Sequence, residues 1–117
     1  MNTFICYPKC STCKKALKFL EENNISYELR DIKQNNPNKE ELDKLIKLSG
    51  KDIKHFFNTS GLLYRNLGLK DKIPNMSYEE KLELLASDGM LVKRPIFVTN
   101  NMVLVGFKEK EWIKLIK

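Results

Sequence analysis

Long apolar runs are missing from this 117-residue sequence: nothing approaches the roughly 18 consecutive apolar residues that cross a bilayer, which excludes a membrane-spanning helix. Histidine is represented by His55 alone, and cysteine only by Cys6, Cys10 and Cys13, all near the start. A tetrahedral zinc site draws on about four N, S or O ligands, so this set supports no metal centre. With no basic leader or small-residue cleavage site after Met1, the chain is expected in the cytoplasm, where an odd, small number of cysteines is not a disulfide scaffold. The 21 basic and 15 acidic residues are interleaved despite a net charge of +6. Without aromatic and basic residues alternating along a stripe, direct nucleic-acid binding is not expected.

What is present reads as one α/β domain over residues 1–117, expected to be a monomer. The run "TFICY" at 3–7 has strand character and stops at Pro8, which has no N–H to donate. From Cys10 or Ser11 to about Asn23, Cys13, Ala16, Leu17 and Leu20 recur at helical spacing. "NN" at 23–24 ends that helix, and "ISYELRDI" at 25–32 reads as the next strand, which completes a right-handed βαβ unit. Asn38 and Glu41 form a capping-box signal for a helix that turns Leu42, Leu45 and Ile46 inward and stops at Gly50. Helical pieces are expected at 52–58, 62–68 and 78–86, the last capped by Ser77 and Glu80. Strands at 96–98 and 103–105 flank a hairpin in which Asn100 and Asn101 take positive φ. A final helix over 108–117 is expected to bury Trp112, Ile113 and Ile116. The fold class is therefore a thioredoxin-like, four-stranded mixed sheet flanked by helices, with core segments 1–37 and 91–117 and a helical insertion at 38–90.

The chemistry concentrates in "YPKCSTCKK" at 7–15. Thiol reactions run through the thiolate, and a helix N-terminus favours negative charge. Cys10 stands at that position with Lys9, Lys14 and Lys15 nearby, so it is the expected nucleophile. Cys13, about one turn later, is placed to resolve an adduct on Cys10 by forming a reversible disulfide, although its place on the apolar stripe also suits simple burial. Cys6 alternates with Phe4 and reads as a small core residue. Lys9, Ser11 and Thr12 are the expected substrate contacts around the pair.

"KRPI" at 93–96 is the second candidate, because a proline at a strand mouth is a common cis site. Pro95 would then offer backbone edges to a bound thiol, and Arg94 a bidentate fork to an oxyanion or to the Cys10 thiolate. A solvated surface arginine is the alternative for Arg94. His55 reads as half-buried packing. Arg30, Arg65 and the acidic clusters at 40–43 and 79–83 read as solvated faces.

"YPKCSTCKKA", "FFNTSGLLYRNLGL", "ELLASDGMLVKRPI" and "LVGFKEKEW" together resemble the arsenate-reductase-like group of the thioredoxin superfamily, which includes the Spx-type regulators. The resemblance runs along essentially the whole chain. It implies Cys10 as the reactive cysteine and Arg94 before a cis Pro95. It also implies no bound cofactor, but an external thiol reductant of the thioredoxin, glutaredoxin or glutathione kind. The arginine that the resemblance places in the insertion is met by Asn58, and the one after the last strand by Phe107 or Lys108, which weakens oxyanion capture and arsenate reduction. Cys13 matches the redox switch of the regulator branch, whose members contact RNA polymerase. Two readings stay open: a thiol-disulfide oxidoreductase, or a redox-sensing protein with a partner such as RNA polymerase.

Overall fold

Strand alternation fixes the centre of the molecule, whose computed structural model describes residues 2–116. In β1 (Thr3–Cys6), Phe4 and Cys6 turn to one face of the sheet and Ile5 to the other, the period of two that a strand imposes. After α1 (Ser11–Glu22), Asn24 takes a left-handed φ of 55° and the Ile25 N–H returns to the Leu20 carbonyl at 2.9 Å. β2 (Glu28–Asp31) then runs parallel to β1. It starts later than the expected 25, because Ile25 and Tyr27 pack under α1 before the chain meets β1.

The second helix, α2 (Lys39–Ser49), starts with the anticipated capping box: Asn38 accepts from the Glu41 N–H at 2.8 Å, and Glu41 accepts from the Asn38 N–H at 3.1 Å. A 3-10 turn at Ile53–Phe56, α3 (Leu62–Asn66), α4 (Leu69–Lys72) and a 3-10 turn at Ile73–Asn75 follow. α4 was not expected; Gly68, at φ 63°, ends one helix and opens the next. α5 (Tyr78–Ser87) has the Ser77–Glu80 capping box, and a 3-10 turn at Gly89–Leu91 returns the chain to the sheet. A Cβ on Gly89 would stand 1.9 Å from the Ile32 carbonyl oxygen, so only glycine lets the insertion close against the end of β2.

β3 (Ile96–Val98) and β4 (Val103–Val105) complete a mixed sheet in the order β2-β1-β3-β4, with β3 antiparallel to both neighbours. Among the described residues other than glycine, Asn24 alone has positive φ, so Asn100 and Asn101 do not shape the hairpin as expected. Thr99 closes it instead, its N–H bonding the Met102 carbonyl at 2.9 Å. α6 (Glu109–Trp112) passes into a 3-10 turn at Ile113–Leu115. Trp112 is fully buried, but Ile113 and Ile116 are about half exposed, since the tighter 3-10 turn rotates them off the core face. The expected helix end at Lys117 lies outside the described residues.

Two cores result. Phe4, Cys6, Phe97 and Leu104 pack with α1 and Trp112, whereas Ile5, Ile96, Val103 and Val105 pack with α2 and the insertion. Arg30 is not a solvated residue: it forks onto Glu41 at 2.6 and 3.1 Å and donates to the Asn35 carbonyl at 2.9 Å, tying β2 to α2. No described helix is long and apolar enough to cross a membrane.

Candidate functional site

The loop between β1 and α1 sets the cysteines. Cys10 is the N-cap residue of α1, with extended backbone (φ −83°, ψ 124°) and no side chain capping the helix. Its N–H bonds the Tyr7 carbonyl at 2.9 Å, and its own carbonyl accepts from Lys14 at 3.1 Å. The first turn of α1 holds no acidic residue, so the positive end of the helix is not neutralised from within. Cys10 is half-buried, and all three cysteines are free thiols.

One turn further on, Cys13 is 2% exposed and packs with Cys6 in the α1-side core. The Tyr7 N–H points at its sulfur at 3.4 Å. The neighbouring Cys6 thiol, and then burial, push the Cys13 thiol well above the ordinary range, with Tyr7 and Cys10 acting against that rise. Cys13 is therefore held protonated behind the more open Cys10.

The third component is the segment entering β3. Arg94–Pro95 is a cis peptide. The Arg94 guanidinium lies over the Tyr7 ring, 5.2 Å from its centroid. Its Nη1 makes long contacts to the Met90 and Val92 carbonyls at 3.4 and 3.5 Å, and its buried Nε has no partner. No carboxylate pairs with Arg94 among the described residues. Its charge is thus not cancelled locally, and the solvated-surface alternative does not describe it.

The insertion supplies the opposite wall. Phe57 and Val92 form an isolated antiparallel bridge, Lys93 N–H bonds the Phe56 carbonyl at 2.7 Å, and Asn58 N–H bonds the Leu91 carbonyl at 2.8 Å. These bonds pin the Asn58–Gly61 loop across from α1. The resulting cavity, of about 360 Å³, is lined by Cys10, Thr12, Asn58, Ser60, Gly61, Lys93, Arg94, Gly106, Phe107 and Lys108. Its charged side chains, Lys93, Arg94 and Lys108, are all cationic. Gly106, at φ 72°, keeps the loop after β4 against that wall, and its carbonyl accepts the Trp112 indole N–H at 3.0 Å.

Of the residues expected from the sequence, Cys10, Thr12 and Arg94 line this cavity, with Cys13 buried behind it. Lys9 and Ser11 are exposed and Pro95 is buried, and none of the three lines the wall. Ser60, Gly61, Lys93 and Gly106 were not anticipated. The signal available for Lys93 was its place beside Arg94 in "KRPI"; Ser60 and Gly61 carry no local signal and reach the site only through the insertion's return. His55 is exposed, not half-buried, because Ile53 and Phe56 take the inward positions of the 3-10 turn.

A family model described as the ArsC family matches residues 6–115, which include the cysteine loop, the insertion and the Arg94 segment. The chain belongs to the ArsC family. This ArsC-family chain is 54% identical over 110 residues to the protein YusI of Bacillus subtilis (strain 168), covering 94% of this chain and 93% of YusI. It is 33% identical over 115 residues to the regulatory protein MgsR of the same organism, covering 98% of this chain and 90% of MgsR. A crystal structure of an ArsC-family related protein from Bacteroides fragilis superposes with a TM-score of 0.96 at 55% identity, covering 97% and 96% of the two chains. The expected four-stranded mixed sheet flanked by helices is therefore the ArsC-family fold over nearly the whole chain.

Proposed function

We propose that this protein is a thiol-disulfide oxidoreductase whose nucleophile is Cys10 and whose resolving thiol is Cys13. The observation that carries the reading is the asymmetry of the pair: Cys10 opens into a cavity whose charged groups are all positive, while Cys13 is buried behind it. The Cys10 thiolate attacks one sulfur of a substrate disulfide, forming a mixed disulfide and expelling the other sulfur as a thiolate. Cys13 then attacks the Cys10 sulfur, which closes the Cys10–Cys13 disulfide, and its proton passes to the departing second substrate sulfur, which leaves as a thiol. Two electrons pass from the pair to the substrate, and an external thiol of the thioredoxin, glutaredoxin or glutathione kind returns them. Arg94 and Thr12 flank the position of the attacked disulfide, and Arg94 stabilises the thiolates that develop there.

The reading is tested by following reduction of a small disulfide by the reduced protein. Cys10→Ser abolishes turnover, and Cys13→Ser stalls at a mixed disulfide visible by mass. Alkylation of Cys10 at neutral pH no faster than that of a free thiol defeats the proposal. Arsenate is a less suitable substrate, because Asn58 and Phe107 give the cavity fewer forked donors for a small oxyanion.

A second reading rests on the 33% identity to a regulatory protein: closure of the disulfide signals to a protein partner such as RNA polymerase. Recovery of the polymerase by the immobilised protein, with and without reductant, separates the two. Equal recovery in both states removes the switch, and no recovery removes the partner.

A further inference from the structure

Beside the Cys10 cavity lies a second depression of about 180 Å³, lined by Lys51, Lys54, His55, Lys93 and Lys108 over a floor that includes Phe57 and Val105. Lys93 and Lys108 line both, so the two depressions adjoin along these side chains and make a basic trough whose first part Cys10 lines. No carboxylate lines either part. What sets these lysines apart is their gathering around one concavity, whereas Arg30, Lys39 and Lys47 each sit beside a carboxylate partner, Glu41, Glu79 with Glu83, and Asp43. Within the trough Lys51 alone is paired, to Glu111 at 3.0 Å, while Lys54, Lys93 and Lys108 make no ion pair among the described residues. Like charges gathered without counterions repel each other, and a cleft of one sign focuses its field outward.

We propose that this lysine trough is the docking subsite for an acidic polypeptide segment flanking the disulfide that Cys10 attacks. The inference rests on the oxidoreductase reading above and names its substrate class. Carboxylates on the segment meet Lys54, His55, Lys93 and Lys108 as the substrate sulfur reaches Cys10. In the second depression Phe57 and Val105 are 2% and 4% exposed, so Phe107 in the Cys10 part is the one partly exposed aromatic along the trough, short of the successive stacking rings that a nucleic acid uses, and a polypeptide suits it better. Attraction of this kind acts chiefly on the encounter rate, by roughly 10- to 1,000-fold at low salt.

The test uses the reduced full-length protein and two short cysteine peptides, each carried as a mixed disulfide with 2-thiopyridine, one flanked by glutamates and one by glutamines. Release of thiopyridone reports attack by Cys10. At low ionic strength the glutamate peptide is expected to react about 10-fold faster, with the advantage fading near 1 M salt, where the screening length falls to about 3 Å. Lys54→Glu should bring the ratio of the two rates close to one. Lys70→Glu, which makes the same change in net charge on exposed α4, should leave the ratio intact. Equal rates for the two peptides in the wild-type protein overturn the docking site while leaving the oxidoreductase reading in place. So does a ratio that falls equally in both variants, or an oligonucleotide that competes as well as the glutamate peptide. Failure to attack even uncharged 2,2′-dithiodipyridine overturns the oxidoreductase reading, and the docking inference with it.

Discussion

The two faces of the sheet are filled with different chemistry. On the α1 side, Trp112 is met by Phe4, Phe19, Phe97 and Phe107 with ring centroids 5.1 to 6.4 Å apart, and Cys6 and Cys13 lie in the same core. The opposite side is mostly aliphatic, with Ile5, Leu42, Ile46, Leu82, Leu85 and Ile96 joining the sheet to α2 and the insertion. The aromatic side joins the thiol core to the cavity directly, because Phe107 reaches from the Trp112 cluster to the cavity wall and the indole N–H bonds the Gly106 carbonyl. The aliphatic side acts at a distance, by docking the insertion that supplies the other wall.

The sharpest way to break this contrast is to empty each core in turn. Trp112→Ala should cost about 3–5 kcal/mol and Leu85→Ala about 2–5 kcal/mol in urea unfolding. Under conditions where both variants remain folded, only Trp112→Ala should also slow Cys10-dependent disulfide reduction. Equal loss of rate in both would erase the distinction between the faces.

A smaller effect tests how the insertion is seated. Gly89→Ala forces a Cβ onto the Ile32 carbonyl and should destabilise by about 1–3 kcal/mol through overpacking. Gly50→Ala has nothing within 4 Å of the new carbon and meets only the strain of its left-handed backbone, so it should cost about 1–2 kcal/mol. A Gly89→Ala protein as stable as wild type would mean that the insertion does not close on β2.

Within the thiol core, pH provides the next measurement. Because Cys13 is held protonated, closure of the Cys10–Cys13 disulfide after addition of a small oxidant should accelerate as pH rises past the ordinary thiol value of 9.0. The largest cause of the rise is Cys6, so Cys6→Ala should move that acceleration to lower pH, read as closure rate by quenched mass analysis. An unchanged profile would assign the effect to burial alone.

The smallest expected effect concerns the aliphatic side. The Arg30 fork, before any other cause, holds the Glu41 carboxyl below its ordinary 4.5. A depressed carboxylate stabilises the fold above 4.5, and that contribution is lost as pH falls through the lower, folded value. The pair is partly exposed and should be worth about 0.2–1 kcal/mol, measurable as a shallower acid limb for Arg30→Met in unfolding midpoints against pH.

Much of this architecture was legible in local patterns. The stripe of Cys13, Ala16 and Leu20 gave α1, the two capping boxes gave the starts of α2 and α5, and the apolar runs gave β3 and β4, because each signal lies within a few residues of what it controls. The turn geometry of the hairpin and the inward face of the last helix are not legible locally, for the complementary reason. Asn100 and Asn101 can take positive φ, but the Thr99 bonds settle the turn without it. The end of the chain tightens once Trp112 is anchored, and Ile113 and Ile116 are left outside.

Local sequence fixes the setting of Cys10: Pro8 stops the strand, the helix starts after Cys10, and Cys13 falls one turn behind, all through short-range backbone sterics and helical period. What Cys10 faces is set by long-range packing. Asn58, Lys93, Arg94 and Lys108 come from distant segments, brought together by the bridge at Phe57 and Val92, the close approach at Gly89 and the indole bond at Gly106. Charge in a cavity is a sum over neighbours in space, and no local period in the chain encodes that sum.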